Sequence, residues 1–263
     1  MTTTTIQRGL IGAGLLALSA AASALPSFTF DPSAVGLGGS SFTADNLLIS
    51  DYARVTTDAS GGFTETGFLS ITSAQLGDDL LIPSGLNVAN TGYSLYISFT
   101  GTGQQTSGTN PLTGPTSGVF NSLDYTLWAA PGKATFSFTN NTPTTSATNA
   151  IKLASGTLVE GSTGTRVSGA SFSPSADAIL SFAVESSSAG FFASPNPFNY
   201  NQALTSFTNS SSQVTVLADG FTINKGGGSI NFASAVPEPE TYAMLLAGLV
   251  SVGFLTRRRS TKR

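Results

Sequence analysis

Apolar residues in the middle of this chain recur at every second position and never hold a helical spacing, which confines the middle to β-structure. Tyr93 to Thr100 reads YSLYISFT and sets Tyr93, Leu95, Ile97 and Phe99 on one face. Leu123 to Trp128 reads LDYTLW, with Leu123, Tyr125 and Leu127 on one face and Asp124, Thr126 and Trp128 on the other. Phe136 and Phe138 share a face within Ala134 to Thr139, and Ile179 to Val184, Val214 to Leu217 and Phe221 to Ile223 read as further short strands. Period two is what a strand requires when one face is buried and the other is wet. Gly, Pro, Asn and Ser clusters punctuate these runs as turns. The nearest approach to a 3.6-residue period, Ala147 to Leu153, is short.

The expected fold is therefore all-β: a single antiparallel β-sandwich or jelly-roll-like domain with long polar loops. Two segments read as those loops. Gly101 to Gly118, GTGQQTSGTNPLTGPTSG, is expected to be mobile and solvent-exposed. Ser186 to Asn201 carries Phe191, Phe192, Phe198 and Tyr200, which either line a binding surface or tuck over one end of the core.

Composition removes several kinds of chemistry. The chain has no Cys, so it folds without disulfides. It has no His, which excludes Ser-His-Asp triads, His metal sites and a histidine pH switch. Between the two ends only Arg54, Lys133, Lys152, Arg166 and Lys225 are basic, against twelve acids, for a net charge of −7. An acidic body poor in Lys and Arg argues against nucleic acid as a partner. Ser and Thr are abundant, so the strands are expected to present a hydroxyl-rich surface.

The ends are built differently. Residues 1–24 read as a signal peptide: Arg8, then an apolar run from Leu10 to Ala22, then Ala22-Ser23-Ala24 as an A-x-A cleavage site, so the mature chain starts at Leu25. Residues 25–235 form the β-rich extracellular domain, and residues 236–263 a tripartite tail. Pro237-Glu238-Pro239 comes first and is expected to be extended. An apolar run from Tyr242 to Leu255 follows, then Arg257-Arg258-Arg259. This run is expected to form a short C-terminal transmembrane helix: about 14 residues make roughly 21 Å, less than the ~30 Å of hydrocarbon that a comfortable span crosses. The arginines stay cytoplasmic by the positive-inside rule, which places everything before Pro237 outside the inner membrane. An ordinary tail anchor is the plainer alternative.

This tail resembles the PEP-CTERM sorting signal. The resemblance implies an exosortase as the processing partner, transient residence in the inner membrane of a Gram-negative bacterium, and export to the cell surface or an exopolysaccharide matrix. Phe28 to Thr72 is similar to a flocculation-associated subgroup of PEP-CTERM proteins, through Phe28-Thr29-Phe30-Asp31-Pro32, Phe42-Thr43-Ala44-Asp45-Asn46 and Phe63-Thr64-Glu65-Thr66-Gly67. That subgroup implies a structural role in cell aggregation and biofilm, and supplies no catalytic residues.

The remaining candidates each have a bland counterpart. Trp128 with Tyr125 is a candidate glycan contact, since flat apolar rings suit sugar faces; a core tryptophan is the alternative. Asp78 and Asp79 are the nearest approach to a calcium pair, but no D-x-D-x-D-G spacing is present and solvated turn acids explain them. No catalytic residue, metal or cofactor is expected. Glu65, Glu160 and Glu185 are the only mature glutamates from which a glycosidase pair could draw, together with Asp residues, and spacing singles out no pair. The function expected is that of an exported, non-enzymatic matrix protein; the alternative is a carbohydrate-binding module with a specific glycan pocket.

Overall fold

The computed structural model describes residues 25–108, 114–168 and 171–234. In chain order the strands are β1 (Phe28–Phe30), β2 (Phe42–Ala44), β3 (Asn46–Thr57), β4 (Gly62–Leu76), β5 (Asp79–Leu81), β6 (Tyr93–Ser107), β7 (Thr116–Pro131) and β8 (Phe136–Thr139). They continue with β9 (Thr142–Thr145), β10 (Ile151–Ser168), β11 (Ser171–Ser181), β12 (Ala183–Val184), β13 (Phe192–Ser194), β14 (Gln202–Thr208), β15 (Val214–Leu217) and β16 (Gly220–Ala233). Three short 3-10 turns, at Pro32–Val35, Ser186–Phe191 and Ser211–Gln213, are the helical elements among the described residues.

Eight strands hydrogen-bond in the order β11-β14-β16-β3-β4-β6-β7-β10, and β10 pairs back onto β11. The ladder closes, so the fold is an antiparallel barrel and not the expected sandwich. The alternation is the same in both architectures, because each buries one face of every strand. The difference lies in β10, which uses both edges: Thr157 pairs with Asp124 of β7, while Ser162 pairs with Val119 of β7 and with Asp177 of β11. Closure removes the unpaired edges that an open sheet must protect.

The barrel interior carries Leu47, Ile49, Leu69, Ile71, Leu95, Ile97, Leu123, Leu127 and Ile230, all buried. Outward positions on β4, β6 and β7 include Thr64, Thr66, Thr100, Thr102, Ser122 and Asp124. No helix among the described residues is long and apolar enough to cross a membrane. The apolar run Tyr242 to Leu255, the signal peptide and Ala22 and Ala24 lie outside the described residues.

The polar loop expected over Gly101 to Gly118 is mostly strand. β6 runs on to Ser107 and β7 begins at Thr116. Gly101, Gly103 and Gly118 are buried positions, and a Cβ at Gly103 would lie 2.1 Å from the Phe63 ring. Absent side chains here make room for neighbouring rings, and a Gly-rich stretch that reads as loop is barrel wall.

One end of the barrel is sealed by aromatic rings. β1 pairs with β2 and β13 to form a small sheet across that end. Phe30 is fully buried, with ring centroids 4.9 Å from Phe191, 5.3 Å from Phe192 and 5.7 Å from Phe42. Phe198 packs 4.9 Å from Phe192 and 5.9 Å from Phe232. The aromatic loop Ser186 to Asn201 is thus tucked over the core, and its rings are not a binding surface. Outside the barrel, the β8–β9 hairpin lays Phe136 against Tyr52, Phe68 and Tyr96, at 5.4, 5.8 and 5.5 Å.

Candidate functional site

Towards the other end, the interior holds a cavity of about 100 Å³. It separates the main core from a smaller apolar cluster of Ala53, Val55, Phe172, Phe221 and Ile223. Two carboxylates line it, Asp51 on β3 and Glu65 on β4. Both reach the interior by strand period: Asp51 falls between Ile49 and Ala53, and Glu65 between Phe63 and Gly67. Asn209, which follows β14, also lines the cavity and is held by its backbone N–H donating to Pro174 O at 3.0 Å.

The polar atoms here are incompletely satisfied. Asp51 and Asn209 are each 3% exposed, and the Oδ1 atom of each has no hydrogen-bond partner. Gly226 of β16 pairs opposite Asp51, and a Cβ there would sit 2.0 Å from Asn209 Oδ1. The Asn209 amide therefore occupies the space that a side chain at Gly226 would take, beside Asp51. By contrast, Tyr125 OH donates to Ser181 O at 2.8 Å and Thr205 Oγ1 to Ala178 O at 3.2 Å.

Burial disfavours charge in this setting. Desolvation pushes the Glu65 carboxyl up to about 7. Desolvation, and secondarily the charge of Glu65, raises Asp51 well above the usual carboxylate range. None of the described lining residues is Lys or Arg. What such an arrangement can do chemically is accept hydrogen bonds from, and neutralise, a donor brought into an apolar chamber.

The residues singled out by sequence are dispersed. Tyr125 and Trp128 do not form one platform: Tyr125 points inward and is 5% exposed, while Trp128 lies on the outer face with Nε1 donating to Ser98 Oγ at 2.9 Å. The correction follows from alternation itself, since residues three apart on a strand face opposite ways. Trp128 is accordingly not a core tryptophan. Asp78 and Asp79 are exposed around the β4–β5 turn, and no group of three or more His, Cys, Asp or Glu gathers among the described residues. The mature glutamates are scattered too: Glu65 is inside, Glu160 is exposed, and Glu185 Oε2 pairs with Lys152 Nζ at 3.4 Å.

The cavity pair was missed because Asp51 resembles the turn acids Asp45 and Asp58 in a list of residues. The signal that finds it is phase: a carboxylate in register with Leu47, Ile49, Ala53 and Val55 must face the core.

The outer surface has its own order. Register aligns Thr66 of β4 with Thr100 of β6, Thr100 with Asp124 of β7, and Asp124 with Thr157 of β10. One row away, Thr64 aligns with Thr102 and Thr102 with Ser122, whose hydroxyls lie 2.7 Å apart. Ser98, Thr126 and Ser155 form a third row, and Trp128 stands beside it. The result is a hydroxyl-rich outer face across four strands, with Asp124 within it and Phe68 and Trp128 at its margin.

No curated protein and no solved structure matches the chain. Residues 235–259 match the family model described as the PEP-CTERM protein-sorting motif, a stretch containing Pro237-Glu238-Pro239 and Arg257-Arg258-Arg259. The motif implies processing by an exosortase and export across the inner membrane to the cell surface, and it identifies the chain as a PEP-CTERM protein.

Proposed function

We propose that this PEP-CTERM protein is a non-enzymatic structural component of the exopolysaccharide matrix of a Gram-negative bacterium. In this reading residues 25–235 are displayed or released once the signal peptide and the tail have been processed. The barrel then associates with polysaccharide and promotes cell aggregation, as in flocculation and biofilm. The observation that carries the reading is the outer hydroxyl face across β4, β6, β7 and β10. Rows of hydroxyls and a carboxylate on a rigid sheet offer many weak hydrogen bonds to a sugar polymer. Many copies on one polymer multiply those contacts through avidity.

The test is co-sedimentation of the protein with exopolysaccharide purified from the same cells. The wild type is expected to pellet with the polymer, and a Thr66→Glu, Thr100→Glu, Thr102→Glu variant to stay in the supernatant. Equal pelleting of both would reject the outer face as the contact surface. A second reading, a carbohydrate-binding module with one defined glycan subsite, draws on Trp128, whose indole is fixed by Ser98 on the outer face. It predicts saturable binding of a defined oligosaccharide that Trp128→Ala abolishes. The chambered residue Tyr125 has no place in that subsite.

A further inference from the structure

We propose that the cavity between Asp51, Glu65 and Asn209 is a binding site for a small organic cation, an amine carrying a compact apolar body. The proposal concerns the inner face of the barrel, so its failure would leave the outer-face reading intact.

The first argument is hydrogen-bonding character. Asp51 Oδ1 and Asn209 Oδ1 are buried acceptors without donors, and both residues line the cavity. Buried polar atoms in folded proteins are almost always paired. Once Asp51 is ionised, two acceptors stand open in one chamber, and a species that brings only donors satisfies both. A protonated amine is such a species, since an ammonium has N–H donors and no acceptor.

Charge is the second argument. Glu65 adds another carboxyl to the same chamber, and none of its described lining residues is cationic. A buried carboxylate is tolerated when a partner neutralises it. The nearest arginine on β3, Arg54, is committed elsewhere: it donates to Phe221 O at 3.1 Å and pairs with Asp219. Among the described lining residues none supplies a cation to the carboxyls once they ionise, and an external amine does. When it binds, the carboxyls that burial keeps protonated give up protons to solvent, so binding and proton release are linked.

Shape is the third. The rest of the wall includes Leu69, Ile97, Phe99, Leu123 and Phe207, which suits a hydrocarbon body. A cavity of about 100 Å³ suits a single small ring or short chain in place of a sugar polymer. The chamber extends to strand-end residues Thr57, Gly61 and Thr165, which gives a route in from the end opposite the aromatic seal. Gly226 is part of the seat, because any side chain there would displace the Asn209 amide.

The test uses full-length protein in non-ionic detergent and three probes of nearly one shape: benzylamine, benzyl alcohol and benzoate. Titration calorimetry near neutral pH should give saturable benzylamine binding at least tenfold tighter than benzyl alcohol, with no benzoate binding. The benzylamine heat should vary with the ionisation enthalpy of the buffer, reporting released protons. In an Asp51→Asn, Glu65→Gln variant the preference for amine over alcohol should vanish while the alcohol still binds. The two probes binding equally would overturn the proposal, as would a preference that survives in the variant. Absence of any binding at millimolar probe would also overturn it, and would leave ordered water as what the open acceptors meet. The three wild-type titrations decide the matter even if the variant fails to fold.

Discussion

The two ends of the barrel solve the same packing problem in opposite ways. At the sealed end, Phe28, Phe30, Phe191, Phe192 and Phe232 interlock, and the void beneath them, lined by Phe182, Ile230 and Phe232, is only about 10 Å³. At the other end the walls stand back from a cavity some ten times larger, and two carboxyls and an amide face into it. Stability and chemistry have been separated along one axis. A chain without disulfides gains its rigidity at one end and can therefore tolerate buried, imperfectly paired polar groups at the other.

The largest expected effect tests that division. Phe30→Ala removes a ring packed on several others and should cost about 4 kcal/mol in urea unfolding. Phe207→Ala, beside the cavity, should cost about half of that, because its loss enlarges space that already exists. Equal losses would erase the distinction between the ends.

The pH dependence comes next. Glu65 titrates near 4.5 when unfolded and near 7 when folded, so between those values the folded state binds more protons. The contribution of Glu65 to folding stability should then be highest near pH 4.5, fall as pH rises towards 7, and level off above it. The fall should be about 3 kcal/mol, or roughly 10 °C in Tm. Glu65→Gln should flatten the slope over that window; an unchanged slope would mean that other groups set it.

Smaller effects belong to the outside. Trp128→Ala should change Tm by no more than a few degrees while weakening retention on polysaccharide severalfold, measured by affinity electrophoresis. Smallest of all, addition of a calcium chelator should leave Tm unchanged, because Asp78 and Asp79 are exposed turn acids. A fall of several degrees would place a structural cation in the fold.

How much of this was legible follows from what a strand pattern encodes. Alternation placed Leu123, Tyr125 and Leu127 on one face and Trp128 on the other, and the barrel keeps that division. Closure was invisible, because it depends on β10 meeting both β7 and β11, a matter of long-range register that leaves no mark on local period. The glycines at 101, 103 and 118 looked like loop because their reason for being there, the Phe120 and Phe63 rings for the first two and Thr163 for the third, lies on other strands. The sorting motif was fully legible, since its recognition depends on the order of residues in an extended tail and not on a fold. Asp51 was visible in composition and hidden in role; phase with its neighbours would have revealed it.

The most direct measurement of the account is a carbon-detected NMR titration of the Asp and Glu side-chain carboxyls, with Asp51→Asn and Glu65→Gln used for assignment. The account predicts that Glu65 titrates near 7 and that Asp51 stays protonated well above the usual carboxylate range. Normal titration of Asp51 and Glu65, near 4, would mean that both carboxyls are freely solvated. That result would contradict the division of the barrel into a sealed end and a buried, carboxyl-lined chamber.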